Sequence, residues 1–194
     1  LYNAARREMK DQPAHSATAW QLYMQASWTP GEERNSLAWE KERVALAYKA
    51  LALDPNLGQA HSVLADKLAY LATVDPPSDT EEARREAAMH ARLAVELASD
   101  DADAMFNVAI HHWHAGHDKE ASVAMERALE LDPNHVLARF FVKVIPFGCA
   151  EAPRSVIDDL VAFNAAITPD NPIRWVMLTW ISQLYLNNGD FVRA

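Results

Sequence analysis

Four of the eight histidines in this chain lie in the eight-residue run HHWHAGHD at positions 111–118. On a helix, His111 and His114 are three positions apart and share a face, so with His117 or Asp118 they could coordinate an ion such as Zn²⁺. His111 and His112, however, point about 100° apart, and the run has neither HExxH spacing nor a preformed carboxylate ligand. We therefore expect no metal site and no cofactor, and interpret the run as the end of a helix with His114 facing a groove.

Other groups that could do chemistry have less support. Cys149 lies in the connector-like segment FGCA, with no Cys-His motif around it, and the chain contains no Gly-x-Ser-x-Gly and no Gly-rich phosphate loop. Paired carboxylates such as Asp158 and Asp159 are adjacent in sequence, so on a helix they point in different directions and are typical of a solvated surface. The sequence predicts a protein that is not an enzyme.

The overall charge excludes further classes of function. The net charge is -9 and there is no run rich in Lys or Arg, so we expect neither nucleic-acid binding nor attraction to an anionic membrane. No apolar run approaches the ~20 residues that span a bilayer. A single cysteine precludes an internal disulfide, and both the cytoplasm and the periplasm remain open as compartments.

The elements that would position these residues form a repeat. Asp-Pro-Asn occurs at 54–56 and at 132–134, each time after an Ala-Leu-rich segment, and looser versions occur at 99–101 and 168–171. The step from Ser99 to Pro133 is 34 residues, with longer steps of 44 residues from Pro55 to Ser99 and 36 residues from Pro133 to Pro169. Low Gly content and abundant Ala, Leu and Glu favour helix throughout. Helices with a period of 34 residues predict a stack of helical hairpins, with breaks near 29–35, 74–80, 116–118, 146–153 and 188–190.

Between these marks, the sequence resembles the tetratricopeptide repeat (TPR) superfamily, most clearly over 102–134. Met105, Val108, Ala109 and His112 match the first part of its pattern in size only, and the remainder is matched by Gly116, Ala121, Met125, Ala128 and Pro133. The resemblance implies an all-α, right-handed superhelical solenoid of antiparallel hairpins. The expected organisation is a capping or linker helix at 1–16 and a solenoid at 17–194, with hairpins at about 17–57, 58–101, 102–135, 136–171 and 172–194, the last one truncated.

In such solenoids, the first helices of successive hairpins line a concave face. Transferring this geometry to each repeat gives the expected groove residues Gln21, Gln25, Trp28, Ser62, Asp66, Tyr70, Phe106, Ile110, Trp113, His114, Phe140, Val144, Val176, Trp180 and Gln183. Rigid aromatic rings are favoured interface anchors, although an aromatic stripe at helical spacing is usually packing. We expect about half of these residues to belong to the core.

The resemblance also indicates what such a groove binds. Members of the family that bind chaperone tails use Lys, Arg and Asn on this face, whereas here only Asn107 lies near it. An apolar or amphipathic segment of a protein or peptide is therefore the expected partner, and self-association is left open. The alternative is a small-molecule, metal or pH sensor that uses the groove or the histidines at 111–117.

A narrower resemblance concerns the segments 17–26 and 45–55. They look like the start of the C-terminal TPR regions of bacterial adenylate cyclases and winged-helix transcription activators. That likeness implies a regulatory region of a larger bacterial signalling protein, and the chain is expected to be an excerpt of one.

Overall fold

The structure is a computed structural model, and it describes residues 14–27, 36–75, 80–148, 150–171 and 173–191. Over these ranges the chain is helical and has no β-strand, which confirms the all-α prediction. The helices of the described residues are α1 (Ala14–Ser27), α2 (Leu37–Leu53), α3 (Gly58–Val74), α4 (Thr80–Ala98), α5 (Ala102–His114), α6 (Asp118–Leu131), α7 (Val136–Val144), α8 (Arg154–Ala165) and α9 (Ile173–Asn187).

The repeated Asp-Pro-Asn segments form the same turn twice. After α2, the Asp54 carboxylate accepts a hydrogen bond from the backbone N–H of Asn56 at 3.0 Å, and after α6, Asp132 accepts one from Asn134 at 2.9 Å. Such side-chain-to-backbone bonds replace the helical ladder just where proline prevents its continuation. The motif thus ends one helix and starts the next at both places.

Glycines end two other helices. Gly116 follows α5 with φ +75° and Gly189 follows α9 with φ +74°, a left-handed conformation that strains any residue with a Cβ. Helix boundaries at 116–118 and 188–190 are therefore confirmed. The breaks predicted at 74–80 and 146–153 also separate helices, whereas the one predicted at 29–35 and the expected helix at 1–16, up to residue 13, lie outside the described residues.

Each helix packs against the next one along the chain. In addition, α1 packs against α3, α3 against α5 and α7 against α9. Small residues permit these approaches: a Cβ added to Gly58 at the start of α3 would lie 2.7 Å from the Cβ of Ala98 at the end of α4. Ala65, Ala109 and Ala128, three further small residues, are likewise completely buried. Each helix therefore contacts its sequence neighbours, and some odd-numbered helices also contact the next odd-numbered one.

Two groups of buried side chains form the interior. One lies between α1, α2 and α3 and consists mainly of alanines around Trp20, Tyr23 and Leu64. The other runs from the end of α4 to α9 and contains larger side chains, including Phe140, Met125 and Met177. The larger residues are concentrated in the C-terminal half.

Candidate functional site

Aromatic side chains from α5, α7 and α9 meet at one place, which we call the aromatic patch: Phe106, Trp113, Phe141 and Trp180. The ring centroids of Trp113 and Trp180 are 4.7 Å apart, and Phe141 lies 5.8 Å from each of them. Phe106 is 5.8 Å from Phe141. The two phenylalanines are buried, whereas both tryptophans keep exposed surface. The patch therefore has a fixed base and an accessible indole surface.

Charged side chains from α2 and α3 form a second group, the polar patch: Glu40, Arg43, Asp66 and Lys67. The ammonium of Lys67 lies 2.7 Å from the Asp66 carboxylate and 3.8 Å from that of Glu40, which in turn lies 3.4 Å from the Arg43 guanidinium. Burial opposes the ionised form of Asp66, but Lys67, His114 and Arg43 outweigh it and lower its pKa. The charges of this patch are largely used in pairing with one another.

Tyr70 and His114 connect the two patches. Their rings are 5.6 Å apart, and His114 stacks on Trp113 at 5.8 Å. Burial raises the pKa of Tyr70, with further increases from Glu40 and Asp66, and burial lowers the pKa of His114 despite the attraction of Asp66. At neutral pH both rings are therefore uncharged, and the contacts continue from α3 through α5 to α9.

Other expected groove residues are distributed between surface and interior. Gln21, Gln25 and Gln183 are exposed, Val176 is half-buried and Trp28 lies outside the described residues. Six of the expected groove residues are buried: Ser62, Asp66, Phe106, Ile110, Phe140 and Val144.

Three of these side chains have no exposed surface and pack between helices. Ser62 accepts a hydrogen bond from the Asn107 amide at 3.1 Å, while Phe140 and Val144 belong to the C-terminal core. A side chain without exposed surface cannot contact a partner. Ser62, Phe140 and Val144 are therefore not part of the candidate binding surface. On α7, the ring that reaches the aromatic patch is Phe141, one position after the expected Phe140.

The histidines of 111–118 have separate surroundings. His111 is buried, with its Nδ1 3.2 Å from the carbonyl oxygen of Ala65, whereas His114 faces Tyr70 and His117 is exposed. Within the described residues, no group of three or more His, Cys, Asp or Glu side chains is placed to hold a metal ion. Burial, followed by repulsion from His112, lowers the pKa of His111 to about 4.

Sequence reasoning missed Phe141, Lys67, Arg43 and His135. His135 precedes α7: its Nδ1 accepts a hydrogen bond from the backbone N–H of Ala138 at 3.1 Å, and its Nε2 lies 2.9 Å from the Asp103 carboxylate. Because Nδ1 accepts a hydrogen bond, the ring hydrogen is on Nε2, and this N–H donates a hydrogen bond to the Asp103 carboxylate. The position of His135 directly after Asp-Pro-Asn was the available signal, since this is where a helix cap is needed.

No protein-family model matches this chain, and no curated protein matches it. In the part of the chain that the structure describes, none of the helices combines the length and apolar character needed to cross a membrane.

Proposed function

We propose that the chain forms a TPR-like, right-handed superhelical solenoid whose first helices, α1, α3, α5, α7 and α9, line one concave groove. The contacts of α1 with α3, α3 with α5 and α7 with α9 support this arrangement, because stacked hairpins bring alternate helices together. The 34-residue step and the identical turns after α2 and α6 support it independently.

The groove of this solenoid binds a segment of a partner protein or a peptide. The observation that carries the proposal is the pair of partly exposed indoles, Trp113 and Trp180, on the buried support of Phe141. Rigid rings of this kind provide large contact areas at small entropic cost and are the usual anchors of interfaces. The partner is an amphipathic helix or an extended peptide that places apolar side chains on the indoles.

The polar patch limits the choice of partner. Lys67 and Arg43 both pair with Glu40, and Lys67 also pairs with Asp66, so neither cation is available to hold a peptide carboxylate. Exposed Gln21 and Gln25 on α1 offer uncharged hydrogen-bonding groups. Peptide segments with uncharged polar residues toward α1 and apolar residues toward α9 therefore fit best. Binding of this kind suits a regulatory or scaffold region of a larger signalling protein.

Sensing of pH by the histidine run is less well supported. Burial lowers the pKa of His111 to about 4 and lowers those of His112 and His114 as well. Groups with lowered pKa values change charge below neutral pH rather than near it. The peptide-binding function therefore accounts better for this region.

The test uses peptides selected from a displayed library on the intact chain, with affinities measured by calorimetry. Trp113→Ala and Tyr70→Ala should each weaken a selected peptide by roughly thirty-fold or more, because each truncates a central anchor. Glu126→Ala, an exposed side chain on α6, serves as the control and should leave affinity unchanged. Circular dichroism checks that every variant keeps its helices.

The proposal fails if selected peptides bind both aromatic variants as tightly as the parent. It also fails if Glu126→Ala abolishes peptide binding and the two aromatic variants do not weaken it, because the selected peptides would then bind at α6 and not in the groove.

A further inference from the structure

A cleft of about 590 Å³ lies between the last turns of α4, one face of α5 and one face of α6. Both α4 and α6 pack against α5, and the cleft is the space that remains between them. All three helices lie in the middle of the described chain, with α3 before them and α7 after them. The opening therefore results from the way these three helices pack.

The floor and both walls of this cleft are apolar. Met105 and Val108 of α5 form the floor and are almost completely buried. Val95 on α4 and Val123 on α6 form the walls, where they are 46% and 67% exposed. Exposed apolar side chains around a concavity typically mark a binding site, and the volume lies within the roughly 300 to 1,000 Å³ of small-molecule sites.

Charged side chains lie along the rim on α6. Lys119 and Arg127 are eight residues apart, so their backbones are separated by about 12 Å. The Arg127 guanidinium pairs with Glu130 at 3.0 Å, whereas Lys119 makes no ion pair with any described residue. Glu120 is the one acidic residue that lines the cleft, against two cations, although the whole chain has a net charge of -9. The rim therefore favours an anion, and Lys119 is free to bind it.

His112 lies at the Lys119 end of the cleft. The backbone N–H of His117 donates to the carbonyl oxygen of His112 at 2.8 Å, which holds the end of α5 beside the start of α6. The His112 Nδ1 is buried and has no hydrogen-bond partner in the part of the chain that the structure describes. Burial, followed by repulsion from His117, lowers the pKa of His112, so the ring is neutral near pH 7. A neutral imidazole donates one hydrogen bond, and a carboxylate at this end can accept it.

We propose that this cleft binds an elongated amphiphilic carboxylate, such as a medium-chain fatty acid, with its carboxylate at Lys119 and its apolar chain between Val95 and Val123. A singly charged head suits the site better than a phosphate, because Glu120 would repel a second negative charge.

This site is separate from the groove proposed to bind peptides. Met105 and His112 each precede by one residue a ring of the aromatic patch, Phe106 and Trp113 respectively. Successive residues of a helix point about 100° apart, so α5 presents different faces to the cleft and to the aromatic patch. Carboxylate binding and peptide binding are therefore expected to be independent.

Calorimetric titration of the intact chain with octanoate tests the apolar part of the site. The parent should bind one octanoate per chain. Val123→Asp should weaken this binding by roughly thirty-fold or more, because it replaces an apolar wall with a charge of the same sign as the ligand. Val161→Asp is the matched control: Val161 is 40% exposed on α8, outside the cleft, and its replacement should leave affinity unchanged. Circular dichroism checks the helices of each variant.

Comparison with 1-octanol tests the site of the head group. The parent should bind octanoate more tightly than this uncharged probe. Lys119→Gln should weaken octanoate by roughly tenfold, the loss of one charge-assisted hydrogen bond, and leave 1-octanol unchanged. Glu120→Gln should instead tighten octanoate by a few-fold, because it removes a repelling charge.

Four results would overturn the proposal. They are a parent that does not bind millimolar octanoate, a Val123→Asp variant that binds as the parent does, a Val161→Asp variant that loses as much affinity as Val123→Asp, and equal losses of octanoate and 1-octanol in Lys119→Gln. Affinity for a selected peptide, measured on the same variants, should not change. Failure of carboxylate binding therefore leaves the peptide-binding proposal standing, and the reverse also holds.

Discussion

The polar patch on α2 and α3 and the aromatic patch on α5, α7 and α9 are linked through the rings of Tyr70 and His114, but different interactions hold them. In the polar patch, Lys67 lies 2.7 Å from Asp66, and both side chains are almost removed from solvent. In the aromatic patch, contacts between uncharged rings, such as the 4.7 Å approach of Trp113 to Trp180, take the place of ion pairs.

This difference separates stability from binding. Buried ion pairs are costly to break, because removing one partner leaves the other charge desolvated. Ring contacts tolerate partial exposure and can continue onto a partner's apolar side chains. The polar end is thus expected to hold α2 against α3, while the aromatic end supplies the binding surface. Each prediction below tests one side of this contrast.

The largest effect is expected at Lys67. Lys67→Met should destabilise the fold by about 3 kcal/mol or more, because Asp66 is left as a buried charge without its nearest cation. Urea unfolding, followed by circular dichroism, measures this loss as a lower midpoint with an unchanged slope.

A matched control is available at Lys41. Its ammonium also lies 2.7 Å from a carboxylate, that of Asp75, but both side chains are well exposed. Lys41→Met should therefore cost less than about 1 kcal/mol. Equal losses for the two variants would show that burial does not distinguish the polar patch.

A somewhat smaller effect should appear on acidification. Burial lowers the pKa of His90 to about 4, assisted by repulsion from His61, and it lowers that of His111 to about the same value. The unfolded chain binds these protons near pH 6.5, whereas the folded chain binds them only near pH 4. The contribution of each histidine to stability is therefore fully present at neutral pH and is lost as the pH drops from about 6.5 to about 4, by on the order of 2 to 3 kcal/mol per histidine.

Unfolding free energies measured at several pH values across this window check the prediction. His90→Gln should flatten the dependence on pH, whereas His117→Gln should not, because His117 is exposed. A parent whose stability is constant across the window would contradict the buried, neutral state of His90 and His111.

Local signals explain what the sequence could predict. Gly116 and Asp132 act within their own turns, so the helix ends there follow from nearby residues alone. Lys67 could not be placed in this way, because its contact with Glu40 joins residues of different helices. Phe141 was missed for a similar reason: repeat spacing aligns Phe140 with Phe106, but the rotation of α7 against its neighbours decides which ring reaches Trp113.

The smallest effect is expected at His135, beside the aromatic patch. Its ring caps α7 through Ala138, donates to Asp103 and lies 5.1 Å from the ring of Phe106. His135→Ala removes the cap and the link to α5, and should cost about 1 to 2 kcal/mol. His135→Asn should recover part of this loss, because an Asn side chain can still accept from Ala138 but is too short to keep the ring contact. Urea unfolding of the two variants beside the parent measures both changes in the free energy of unfolding.

If His135→Asn is no more stable than His135→Ala, the cap contributes nothing, and the stabilisation comes from the contacts with Asp103 and Phe106 alone. In either case the loss should stay below that of Lys67→Met, since the Asp103 carboxylate that loses its partner is partly exposed, whereas Asp66 is buried.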